Sequence, residues 1–136
     1  MDDPTASAGR LQLTDGRYLA YRWFGADPAG DGPVVVHNHG GLSSSLDAAS
    51  AHEVAAAAGI RVLAPDRPGV GGSDRHPGHD VADWADDVAA LLDHFGIGTG
   101  ATTGWSMGGQ YALALAARLP ERVARAAVIA GCPPLD

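Results

Sequence analysis

Residues Thr102–Ala116 read TTGWSMGGQYALALA, and the segment Gly104-Trp105-Ser106-Met107-Gly108-Gly109 within them limits the possible folds more than any other stretch of the chain. A G-x-S-x-G acquires meaning only when a strand precedes it and a helix follows at once. Ala101–Thr103 reads as a short, weakly patterned strand, and Met107–Leu119 as an Ala- and Leu-rich helix stopped by Pro120. The glycines make room, because a serine held above a sheet on a strained turn leaves no space for neighbouring side chains. The helix start also offers free backbone N–H groups beside the hydroxyl, where negative charge is stabilised. Ser106 is therefore the candidate nucleophile.

The remaining chain alternates strands and helices. Residues 1–10 read as a flexible leader. Leu11–Thr14 and Arg17–Trp23 form two strands joined at Asp15-Gly16, a pair suited to a tight hairpin. Val34–Val36 is a β-branched run that fits a strand covered on both faces. Ser43–Ser45 offers caps for a helix reaching about Ala58, with Gly59 as its stop. Arg61–Ala64 is the next strand, and Asp80 caps a helix whose Trp84, Val88, Leu91, Leu92 and Phe95 recur at spacings of three and four. Val123–Ala130 is the last strand. The opening hairpin is expected at one edge of a mostly parallel sheet, within a single domain and with no internal repeat.

Composition excludes several function classes. With a formal charge of -7 and nine scattered basic residues, the chain lacks the clustered Lys and Arg of a nucleic-acid surface. No stretch approaches the roughly 20 apolar residues of a spanning helix. The acidic start MDDPTASAGR lacks the apolar run of a secretory signal, so a cytoplasmic location is expected. Cys132 is the only cysteine, leaving neither an internal disulfide nor a cysteine metal cluster. His37 and His39, two apart on a strand, are too little for a metal site.

Three blocks, in order, resemble the α/β-hydrolase superfamily, in particular its group of esterases, lipases, haloperoxidase-like enzymes and proline aminopeptidases. They are His39-Gly40-Gly41, Asp66-Arg67-Pro68-Gly69-Val70-Gly71-Gly72-Ser73-Asp74, and Gly104-Trp105-Ser106-Met107-Gly108-Gly109. The resemblance implies an α/β fold, a mostly parallel sheet with helices on both faces, truncated after about the sixth strand. Residues 11–136 would be the N-terminal part of that single domain. It implies a serine hydrolase forming an acyl-enzyme at Ser106 on a small-molecule ester or amide, without a cofactor. The backbone N–H of Met107 is then one oxyanion donor and that of Gly41 the other, with Leu42 as the neighbouring alternative. His39 is expected to organise the oxyanion loop rather than act as base, and His37 to be structural. Asp66 should accept N–H bonds from the Pro68–Gly72 turn, Arg67 should brace that same loop, and His76 and His79 read as solvated. Asp83, Asp86 and Asp87 read as a solvated helix face.

The expected machinery is incomplete. A serine needs a base, and the base a carboxylate to orient it. After Ser106 the chain has no histidine, and its only carboxylate side chains are Glu121 and Asp136. The base and the acid are therefore expected outside the given chain, in a C-terminal segment or on a second chain; Asp136 is a lesser candidate for the acid. An inactive fragment or a non-catalytic binding module of the same fold is the alternative. A dinucleotide fold fits less well, because Gly96–Gly100 precedes a strand and Gly69–Gly72 enters a polar loop. A P-loop lacks its G-K-S/T, and a serine at position 106 disfavours dehalogenases and epoxide hydrolases.

Overall fold

A computed structural model describes residues 8–132. Ala8–Gln12 (β1), Tyr18–Gly25 (β2), Val34–Asn38 (β3), Arg61–Pro65 (β4), Gly100–Trp105 (β5) and Val123–Ile129 (β6) form one sheet in the order β1-β2-β4-β3-β5-β6. β1–β2 and β2–β4 are antiparallel, whereas β4–β3, β3–β5 and β5–β6 are parallel. The hairpin thus lies at one edge, as its Asp15-Gly16 turn implies. Gly16 adopts φ +91°, open to glycine at no steric cost, and its N–H donates to the Leu13 carbonyl at 3.0 Å. The first strand begins three residues earlier than expected, so Ala8–Arg10 belong to the sheet and not to a leader. The rest of that leader lies outside the described residues, as does Asp136.

Helices cover both faces. On one face Trp84–His94 (α2) and Gly108–Arg118 (α3) lie against the sheet. The side chains of Trp84, Val88, Leu91, Leu92 and Leu115 close over Val34, Val36 and Leu63. Each such fully buried aliphatic side chain contributes about 1.5–3 kcal/mol of transfer free energy. Phe95, just past the end of α2, sits edge-on between Tyr21 and Trp23, with ring centroids 5.0 Å from each. Asp80 caps the turn that opens α2: its Oδ1 accepts the Asp83 N–H at 2.9 Å, and Asp83 Oδ2 accepts the Asp80 N–H at 3.0 Å.

The other face carries a 3-10 helix, Ser45–Ala51, that runs into His52–Ala57 (α1). Ser44 caps it and Gly59, at φ +72°, follows its end, both as the sequence implies. Ala48 and Ala55 pack there on Phe24, Val62 and Ala64. This layer is narrower than the first, and the expectation that Val34–Val36 is covered on both sides holds on one side only. Val34 and Val36 are buried, whereas Val35 and His37 border an open apolar trough of about 550 Å³ between the helices and Ile129. At the far edge β6 is exposed along most of its length. Among the described residues, no helix is long and apolar enough to cross a membrane.

Candidate active site

β5 runs directly into the turn that carries Ser106, and α3 begins two residues later. Ser106 has φ +54°, a left-handed conformation costing an L-residue about 1–2 kcal/mol. The turn is held by its surroundings. The Ser106 N–H donates to the Ile129 carbonyl at 2.9 Å, and the Gly109 N–H donates to the Ser106 carbonyl at 3.0 Å. A Cβ at Gly104 would run into the Gly108 carbonyl, and one at Gly108 into the Asn38 carbonyl. These obstacles are backbone atoms, so no rotamer change relieves them. The two glycines allow the strand, the turn and the helix to close on one another with Ser106 at the apex.

Opposite this turn is the loop leaving β3. His39 is fully buried; its Nδ1–H donates to the Gly40 carbonyl at 2.8 Å, and its Nε2 accepts the Arg67 backbone N–H at 3.1 Å. The second bond requires the neutral imidazole with its proton on Nδ1. Burial lowers its pKa from the ordinary value, and the positive charge of Arg67 acts in the same direction. His39 is therefore an element of loop architecture. The Arg67 guanidinium donates to the carbonyls of His39 and Gly40 and lies 4.2 Å over the Tyr111 ring of α3. The sequence assigned Arg67 to its own Pro68–Gly72 loop; instead it reaches back to the His39-Gly40 loop, where burial makes full use of a planar, multi-donor cation. Asp66 does accept the Gly72 N–H at 3.2 Å, and it also accepts the Ser45 N–H at 2.8 Å.

The two loops meet in a cleft of about 400 Å³ bordered by Gly40, Gly41, Leu42, Trp105, Ser106 and Met107. Ser106, Gly41 and Met107 are thus brought together. Gly41 lies so near the nucleophile turn that an added Cβ would stand 3.1 Å from the Met107 Cε. The described residues bordering the cleft include no imidazole and no carboxylate, though Cys132 lies at its rim. The rings of His37 and His39 are each engaged by protein groups, and among the described residues no three His, Cys, Asp or Glu side chains gather as a metal-binding group.

Two features escaped the sequence. Asn38 is fully buried beneath the cleft: its Nδ2 donates to Thr102 Oγ1 and the Thr103 carbonyl, each at 2.9 Å, and its Oδ1 accepts the Trp84 Nε1–H at 2.8 Å. Strand alternation offered the signal, since Asn38 shares a face with Val34 and Val36 and needed polar partners there. Asp87 is the other, and a correction. It does not lie on a solvated face but takes two bonds from Arg17, at 2.8 and 3.0 Å, with only 6% of its side chain exposed.

Comparison with known proteins agrees with this fold. The sequence pattern of the α/β-hydrolase fold matches residues 33–136. A bifunctional esterase/perhydrolase of Acinetobacter calcoaceticus is 36% identical over 129 residues, covering 93% of this chain and 46% of that protein. A non-heme chloroperoxidase of Streptomyces lividans is 35% identical with the same coverage. Among solved structures, a hydrolase from Pseudomonas aeruginosa superposes with a TM-score of 0.83 at 27% identity, over 95% of this chain and 48% of that one. The chain spans slightly under half the length of these relatives.

Proposed function

The chain belongs to the α/β-hydrolase fold family, and on that footing we propose that it carries the nucleophile and oxyanion-binding half of a serine hydrolase acting on a small-molecule ester or amide. The observation that carries this reading is the left-handed Ser106, held at a strand-to-helix apex in one cleft with Gly41 and Met107. Its Oγ attacks the substrate carbonyl carbon, and its proton passes to an imidazole. The carbonyl oxygen, now anionic, is held by the Met107 and Gly41 N–H groups. Each such donor is worth about 2.7–4 kcal/mol in the transition state. The tetrahedral intermediate collapses, the leaving alcohol or amine takes the proton, and water then releases the acyl group by the same steps. Among the described residues the cleft border offers neither imidazole nor carboxylate, and in this reading base and acid come from a C-terminal segment or a partner chain.

The apolar cleft walls, Trp105 and Met107, suit the acyl or alkyl part of such a substrate. The test is covalent labelling by a fluorophosphonate probe, read by intact mass, with Ser106→Ala as the control. One adduct, absent from the control, is expected on a product that contains this chain together with its base. The 136-residue chain alone should stay unlabelled. Equal labelling of the Ser106→Ala control would refute the assignment of the nucleophile. If no product containing this chain is labelled, the non-catalytic binding module stands instead.

A further inference from the structure

The proposed oxyanion donors lie on different segments, Gly41 after β3 and Met107 after β5, so their spacing depends on what ties those segments together. On the face of the sheet away from Arg67, one polar chain does so. Asp47, in the 3-10 helix, accepts the Gly40 N–H through Oδ2 at 3.0 Å. Its Oδ1 accepts the His37 Nε2–H at 2.7 Å, and His37 Nδ1 pairs with Thr103 Oγ1 at 2.9 Å. His37 and Thr103 are register partners on adjacent strands, and Thr103 lies three residues before Ser106. Both side chains of the His37–Asp47 pair are largely withdrawn from solvent.

We propose that Asp47 is a positioning residue for the oxyanion hole, with His37 and Thr103 as the links that lock the Gly40–Gly41 loop to the strand bearing Ser106. The carbonyl of Gly40 is already fixed from the opposite face by His39 and Arg67. Asp47 fixes the other end of the same residue, so the peptide unit leading into Gly41 has no free rotation. Fixed donors lower a barrier because they need no reorganisation when charge develops, and a misplaced donor forfeits that gain. This assignment rests on Ser106 being the nucleophile only for its catalytic consequence, and the tether itself can be measured without catalysis.

The experiment therefore has two readouts on Asp47→Ala and Asp47→Asn, with folding checked by the thermal midpoint. In the first, amide hydrogen exchange at Gly40 and Gly41 is followed by NMR. Asp47→Ala should raise it by about tenfold or more while amides of β4 and α2 stay protected, because an opened loop exchanges locally. Asp47→Asn keeps an oxygen for the Gly40 N–H and a polar group for His37, and should restore most of the protection. In the second, fluorophosphonate labelling of Ser106 is resolved into probe affinity and maximal rate. Asp47→Ala should lower the maximal rate by about tenfold with affinity nearly unchanged, a fraction of what losing a whole donor costs, and Asp47→Asn should recover it.

Unchanged exchange at Gly40 in Asp47→Ala overturns the tether, and so does an Asp47→Asn variant as loose as the alanine. A loosened loop with an undiminished labelling rate overturns the catalytic role. If the wild-type product that contains this chain together with its base does not label at all, the nucleophile reading fails while the exchange result still decides the tether. Should Asp47→Ala not fold, His37→Phe replaces it; it removes the middle link, and unchanged Gly40 exchange there overturns the proposal.

Discussion

Replacing Asp87 by alanine tests how much the buried ion pair between the edge hairpin and α2 adds to stability. Arg17 sits at the start of β2's approach, Asp87 on α2, and two charge-assisted bonds of 2.8 and 3.0 Å join them across 70 residues of sequence. The carboxylate is 6% exposed and the guanidinium 14%. Removing one partner of such a buried pair costs about 3–5 kcal/mol when the other is left without a counter-charge. Arg17 is not left so, because Asp15 keeps its own 2.8 Å contact with Nε. That contact is half in solvent and compensates only in part, which brings the expected loss to about 2–3 kcal/mol. The assay is urea unfolding followed by circular dichroism. With a slope of about 2 kcal/mol per molar for a domain of this size, the midpoint should fall by about 1–1.5 M at unchanged slope. Because the pair is buried, the loss should persist in high salt, whereas Asp15→Ala should leave the midpoint close to wild type. A midpoint within about 0.2 M of wild type, under the same slope, would return Asp87 to the solvated face on which the sequence placed it.

The neutral, buried His39 makes stability depend on pH. Its folded pKa lies below the ordinary 6.5, so between the two values the unfolded chain binds more protons, and stability falls as pH drops through that window. The urea midpoint should therefore decrease from pH 7.5 to pH 5.5, and His39→Gln should flatten that slope; an equal slope in the variant would refute the assignment. Gly104→Ala and Gly108→Ala each press a Cβ on backbone oxygens, and should destabilise by about 2 kcal/mol or more and abolish Ser106 labelling. Gly98→Ala, where an added Cβ meets nothing within 4 Å, is the matched control and should leave both unchanged. Trp84→Phe removes the indole N–H from Asn38 Oδ1, and should lower stability by about 1–3 kcal/mol in thermal unfolding.

The sequence by itself determined the alternation of strands and helices, the hairpin at Asp15-Gly16, the apolar stripe of α2 and the strand–turn–helix around Ser106. Each is written in local chemistry: a glycine free to take positive φ, a period of three and four, a proline that ends a helix. Asp66 as an acceptor was legible for the same reason, since Gly72 lies in the turn it closes, whereas the loop role of His39 came from the family resemblance. Only the tertiary structure decided where the long-range partners fall. Arg67 reaches the His39 and Gly40 carbonyls from 28 and 27 residues away, Asn38 finds Trp84 at a separation of 46, and Arg17 finds Asp87 at 70. A charged residue on a helix has the same local pattern whether it meets water or a guanidinium. The difference lies in which segment the sheet order β1-β2-β4-β3-β5-β6 brings alongside, and in the desolvation that compels each buried polar group to be paired.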